Sequence, residues 1–99
     1  MNDYILLMHD DVPAGGDVTD TAWARYFTEL RKSGRFDGGS SIGTGECVSK
    51  TGSNKPVTSH LSGYIRVRAE SLDEAKRFIV GNPVFESGGT VELRELPRG

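Results

Sequence analysis

Tyr4-Ile5-Leu6-Leu7-Met8-His9 is the stretch whose reading decides the fold. From Tyr4 to Met8 it is apolar or aromatic without a break, too short for an ordinary helix, and it ends at the polar His9-Asp10-Asp11. Such a run reads as a strand with both faces buried. That is an unusual demand in a chain of 99 residues. If helices cover one face of the sheet, a second copy of the chain is the simplest cover for the other.

A chain of this length makes one domain, residues 1–99, burying roughly two-thirds of its unfolded surface. Hydrophobic residues at 35% and charged residues at 26% suit an ordinary soluble protein, and a net charge of -2 offers no electrostatic attraction to nucleic acid or an anionic membrane. Cys47 is alone, which excludes an internal disulfide and fits a reducing cytoplasm; it reads as a small buried hydrophobe rather than a nucleophile. Neither a signal peptide nor a transmembrane span is expected, since Asp3 stands where a basic region would be and the apolar run is short.

After the first strand, Pro13 and Gly15-Gly16 mark a loop. Asp17 or Thr19 can then cap a helix on which Trp23, Tyr26, Phe27 and Leu30 form an apolar stripe, with Arg31 and Lys32 in its last turn and Gly34 as its stop. The stripe reads as core. From Phe36 to Val48 the glycines predict an irregular or bulged edge strand; no Gly-Lys-Ser/Thr or Rossmann spacing accompanies them, and no cofactor is expected. Residues 51–58 read as a polar, solvent-facing loop. From Leu61 to Arg68 apolar and polar residues alternate, as in a strand with one apolar face. Ser71-Leu72-Asp73-Glu74 is a capping box opening a helix with Leu72, Ala75, Phe78 and Ile79 on its inner face, stopped by Gly81-Asn82-Pro83. Thr90 to Leu96 alternates as the last strand.

The order βαββαβ predicts an α+β, ferredoxin-like domain: a four-stranded antiparallel sheet in order 4-1-3-2 with both helices on one face. The exposed face predicts a face-to-face homodimer. In this topology His9, the helix start near Trp23, the end of the second strand, His60, Asn82-Pro83 and Glu86 share one edge, which is the candidate site.

His9 is the candidate catalytic residue, with Trp23, Tyr26, Ser41, Tyr64 and Asn82 as candidate ligand-binding residues. Strand parity groups His9 with Ile5 and Leu7 but His60 with Ser62 and Tyr64, so the two imidazoles are expected on different faces. No metal site is expected, because neither HxH nor HxxxH spacing occurs. Asp10-Asp11 reads as solvated loop, and Arg66, Arg68 and Arg94 as partners of Glu92 and Glu95 across strands. An RNA-recognition module is set aside as the leading reading: Gly63-Tyr64 fits its signature, but Arg66 and Ala69 stand where stacking rings belong.

Read together, the opening Tyr4–His9 strand, Leu30-Arg31-Lys32-Ser33-Gly34-Arg35-Phe36, Gly63-Tyr64-Ile65, Ser71-Leu72-Asp73-Glu74-Ala75, Asn82-Pro83-Val84-Phe85 and Val91-Glu92-Leu93-Arg94-Glu95-Leu96 resemble the YCII-related family, close to the DGPF-domain proteins. The resemblance spans nearly the whole chain. It implies a dimeric α+β barrel related to muconolactone-isomerase-like folds. It also implies an acid/base dyad of a first-helix His and an Asp before the Pro that follows the second helix. This chain has no His from Thr21 to Gly34 and carries Asn82 at the second place, so the inherited dyad is not expected to operate.

Two functions follow. One is an isomerase- or lyase-type enzyme moving a proton on a small organic acid, with His9 as base, Tyr26 or Tyr64 as polar partner and the first helix start holding the carboxylate. The other is a non-catalytic small-ligand-binding or protein-interaction dimer using the same pocket or the glycine-rich strand.

Overall fold

The computed structural model describes residues 1–52 and 55–99; the part of the predicted polar loop at Ser53 and Asn54 lies outside the described residues. Its elements are β1 (Asn2–His9), α1 (Asp20–Lys32), β2 (Phe36–Ser41), β3 (Leu61–Ala69), α2 (Leu72–Arg77), α3 (Pro83–Glu86) and β4 (Val91–Leu96). Every paired strand is antiparallel, and the sheet runs β2-β3-β1-β4, which is the expected 4-1-3-2 read from the opposite edge. The doubly apolar strand is therefore interior, as its composition requires.

Register sorts the side chains into two faces. Tyr4 opposes Val67, Leu6 opposes Ile65 and Leu93, and Met8 opposes Gly63 and Val91. These residues meet the helices: Leu6, Val67, Ala69 and Ala75 are fully buried, joined by Tyr26, Leu30, Ile79 and Val84. Ile5 and Leu7 project to the opposite face and stay only half-buried, with Tyr64, Arg66, Glu92 and Arg94 around them. The domain is 18 Å across its thinnest dimension, as befits one helix layer on one sheet.

Local signals act largely as the residues dictate. Thr19 caps α1, its side chain accepting from the Ala22 amide, and Gly34 takes φ +73° beyond the last turn. Ser71 caps α2 by accepting from the Glu74 amide at 3.1 Å. The capping box is displaced, however: Glu74 Oε1 accepts from the Glu70 amide, not that of Ser71, and pairs with Arg35 at 2.5 Å. β2 is irregular, with a register shift between Phe36 and Gly39 and φ +98° at Gly38. At Gly39 a Cβ would lie 2.4 Å from the Tyr64 carbonyl oxygen, so strand proximity itself demands glycine.

Three expectations are corrected. Leu72 is 46% exposed, at the first position of α2, whose six helical residues make under two turns. Gly81-Asn82-Pro83 does not simply end a helix: Asn82 caps a further short helix, α3, with Pro83 at its first position, where a missing amide hydrogen does no harm. Cys47 is exposed rather than buried, on the long excursion between β2 and β3, with Sγ 3.6 Å from the Pro56 carbonyl oxygen.

Candidate functional site

The strand ends meet at one edge as topology requires: the His9 amide donates to Thr90 O at 2.9 Å and the Asp10 amide to His60 O at 2.6 Å. Beside this edge lies a cavity of about 520 Å³ between α1 and the sheet. Met8, His9, Asp10 and Asp20 line its mouth; Trp23 and Phe27 form a wall; Gly39, Ser40, Ser41, Ser62, Gly63 and Tyr64 form the strand side. Half of the apolar stripe of α1 is thus site wall, not core. Tyr26 and Leu30 are buried, while Trp23 and Phe27 stay half-exposed with rings stacked at 5.6 Å and an interplanar angle of 25°.

His9 Nε2 lies 2.9 Å from Glu92 Oε1, with side-chain exposures of 20% and 34%. A carboxylate oxygen can only accept, so Nε2 carries the hydrogen and the lone pair of a neutral His9 resides on Nδ1. Arg94 holds the other oxygen of Glu92 at 3.2 Å. The His9 hydrogen bond first, then that of Arg94, keeps the Glu92 carboxyl below its ordinary range. Glu92 is therefore the orienting carboxylate that sequence reasoning assigned only to arginines. The available signal was diagonal: Glu92 opposes Leu7, and His9 is two residues farther along the same face.

The expected separation of the imidazoles does not hold. Leu7 faces Tyr64 across the β1–β3 ladder, so the two parity sets are one face, and the His9 and His60 rings meet edge-on with centroids 4.9 Å apart. Parity within a strand cannot show which sets coincide; cross-strand register does. Among the described residues, no three His, Cys, Asp or Glu side chains come together as a metal site.

Of the candidate ligand residues, Trp23, Ser41 and Tyr64 line the cavity with His9. Tyr26 and Asn82 do not. The Tyr26 hydroxyl donates to the Phe78 carbonyl, and burial pushes its pKa up to about 12. Asn82 is fully buried, its Oδ1 accepting from the Val84 and Phe85 amides at 2.9 and 3.3 Å while Nδ2 finds no partner among the described residues. Tyr26 thus ties α1 to the end of α2, and Asn82 caps α3. Asp11 accepts from the Thr90 amide and hydroxyl at 2.8 and 2.6 Å, pinning the loop to β4, which is more than the solvated role expected of it. Arg68 pairs with Asp37 at 2.9 Å instead of a β4 glutamate. The start of α1 is already supplied with carboxylates: Asp17 accepts from the Thr19 amide and hydroxyl, and Asp20 occupies the first turn. No helix of the described chain is long and apolar enough to cross a membrane.

No family model matches the chain, and no curated protein matches it. Among solved structures it is similar to 5-chloro-2-hydroxyhydroquinone dehydrochlorinase (TftG) from Burkholderia phenoliruptrix AC1100, in complex with 2,5-dihydroxybenzoquinone. The two share 17% sequence identity with a TM-score of 0.61, over 98% of this chain and 95% of that one. A likeness at this identity is one of fold, and it establishes an α+β, ferredoxin-like domain consistent with the YCII-related resemblance of the sequence.

Proposed function

We propose that the chain is a YCII-related enzyme of isomerase or lyase type that moves a proton on a small organic acid, with His9 as the base. One observation carries this reading: a histidine whose Nε2 is committed to a carboxylate at 2.9 Å stands at the mouth of a cavity of small-molecule size. Glu92 fixes the tautomer and supports the imidazolium that forms when Nδ1 takes a proton. In an isomerisation His9 returns that proton to a second atom of the substrate. In an elimination the electrons of the broken C–H bond form the new double bond, and the leaving group departs with its own pair. That a solved structure of this fold is an enzyme with a ligand bound lends the reading support.

The proposal includes a homodimer through the open sheet face, forming a dimeric α+β barrel, in a cytoplasmic setting suited to the exposed thiol of Cys47. Ile5 and Leu7 are only half-buried there, and covering a few hundred Å² contributes several kcal/mol at about 25 cal/mol per Å², before association costs. A strictly monomeric mass by light scattering at micromolar concentration refutes the dimer. For the chemistry, a thermal-shift screen of small carboxylates, lactones and phenols identifies ligands, and each is then assayed for turnover by the wild type and His9→Ala. Loss of turnover with binding retained supports the base. Undiminished turnover in His9→Ala refutes it, and ligands bound but never turned over point to the non-catalytic binding dimer.

A further inference from the structure

The open face of the sheet carries its charges in rows. Across the ladder Ile5 lies between Arg66 of β3 and Arg94 of β4, and Leu7, one step along the same face, lies between Tyr64 and Glu92. The first row is cationic on both flanks. The second holds a tyrosine ring and the carboxylate that orients His9. Neither arginine is fully engaged within the chain. Arg66 is exposed and closes no ion pair among the described residues. Arg94 meets Glu92 from two residues away at 3.2 Å, with 68% of its side chain exposed. Such a contact is worth little on an open surface.

Two copies joined face to face by a twofold axis can align their strands in two ways. Burying Ile5 and Leu7, the half-buried apolar side chains of β1 on this face, centres the contact on that strand. With the axis along β1, each row meets itself and β3 lies over β4, so Arg66 of one copy covers Arg94 of the other, twice over. Like charges then come together where solvent screens them least. With the axis across the strands, the rows exchange. Ile5 packs on Leu7, Arg94 meets Glu92, and Arg66 covers the Tyr64 ring, each contact occurring twice.

We infer that a second copy covers this face with its rows exchanged, so that Arg94 of each copy seats on Glu92 of the other. This rests on the proposed homodimer through the open sheet face and sets how that dimer is aligned. It also makes the site a shared one. Glu92 holds His9 with one oxygen and receives the other copy's arginine at the second, so a single chain lacks part of the support for its own base.

The test measures dimer mass and affinity by sedimentation and native mass spectrometry at micromolar concentration, with circular dichroism as the check on folding. Arg94→Glu should weaken the dimer about hundredfold, roughly tenfold at each of two symmetric contacts turned from attraction to repulsion. Glu92→Arg should do the same, an equimolar mixture of the two should form the heterodimer, and Glu92→Arg/Arg94→Glu should regain the wild-type dimer. Glu29→Lys and Lys32→Glu, equal changes of charge at an exposed pair on α1, should leave the dimer unaltered. An Arg94→Glu protein that dimerises as tightly as the wild type, or more tightly because the new carboxylate meets Arg66, overturns the alignment while the homodimer stands. So does a mixture of folded variants without heterodimer, or dissociation by the α1 changes. If Glu92→Arg unfolds, Arg94→Glu and the double variant decide between these outcomes. A monomeric wild type gives the face to a different partner and overturns both the alignment and the dimer.

Discussion

Replacing Tyr26 with Phe separates a structural tyrosine from a ligand-binding one. The substitution keeps the ring and deletes the hydroxyl that donates to the Phe78 carbonyl between α1 and the end of α2. Loss of one largely buried hydrogen bond costs about 1–2 kcal/mol, or roughly 5–12 °C in melting temperature for a domain of this size. The pH dependence is more diagnostic. The folded pKa of Tyr26 is raised from 10.0 to about 12, so above pH 10 the unfolded chain releases a proton that the folded chain keeps. Stability from this group is complete below pH 10 and falls until the folded value is passed, a loss of roughly 2–3 kcal/mol that Tyr26→Phe lacks. The wild type's advantage should shrink through this window and vanish or reverse near its upper end. Urea unfolding of both proteins at several pH values from 8 to about 12 measures the difference, in which the other titrating groups cancel. A difference that stays constant with pH, or a variant as stable as the wild type at pH 8, refutes the reasoning. Ligand affinity at the cavity should not change, because Tyr26 does not line it.

Asn82→Ala removes the one oxygen that accepts from both amides at the start of α3 and should cost about 1–2 kcal/mol, read as a lower urea midpoint; an unchanged midpoint would deny the capping role. Gly39→Ala drives a methyl into the Tyr64 carbonyl and Ile65 Cα, and should destabilise by about 2–3 kcal/mol by thermal melting, whereas tolerance would mean that β2 can move off β3. Because Glu92 has its carboxyl held below the ordinary value of 4.5, its contribution is present above that value and is lost as pH falls through the lower folded one. Glu92→Gln should therefore flatten the acid limb of the stability curve, and parallel limbs in the two proteins would contradict the His9 and Arg94 contacts. Leu7→Asp, at the centre of the open sheet face, should yield a folded monomer by light scattering if that face is the dimer interface, and an unaltered mass would exclude it.

The fold was legible because its signals are local and periodic. The run Tyr4 to Met8, the alternation through Leu61 to Arg68, the Thr19 and Ser71 caps and the stops at Gly34 and Gly81 each report the backbone geometry of their own neighbourhood. Handedness and connection rules then leave few ways to order four strands, and the observed order is among them. Where a local signal misled, the cause was distance from the core. Cys47 and Leu72 are apolar in type but sit on a long excursion and at a helix start, and both are exposed there.

The site was legible only in part. Topology alone brings His9, Ser41, His60 and the start of α1 to one edge. The sequence by itself determined the elements, their order and that edge, since these follow from periodicity, capping and chain connectivity. Tertiary structure alone decided the register that places Glu92 against His9, the meeting of the two imidazoles, and the division of the α1 stripe into Tyr26 as core and Trp23 as wall. The physical reason is that a hydrogen bond needs its partners within a fraction of an ångström, and strand register and helix rotation are set by packing between segments far apart in the chain.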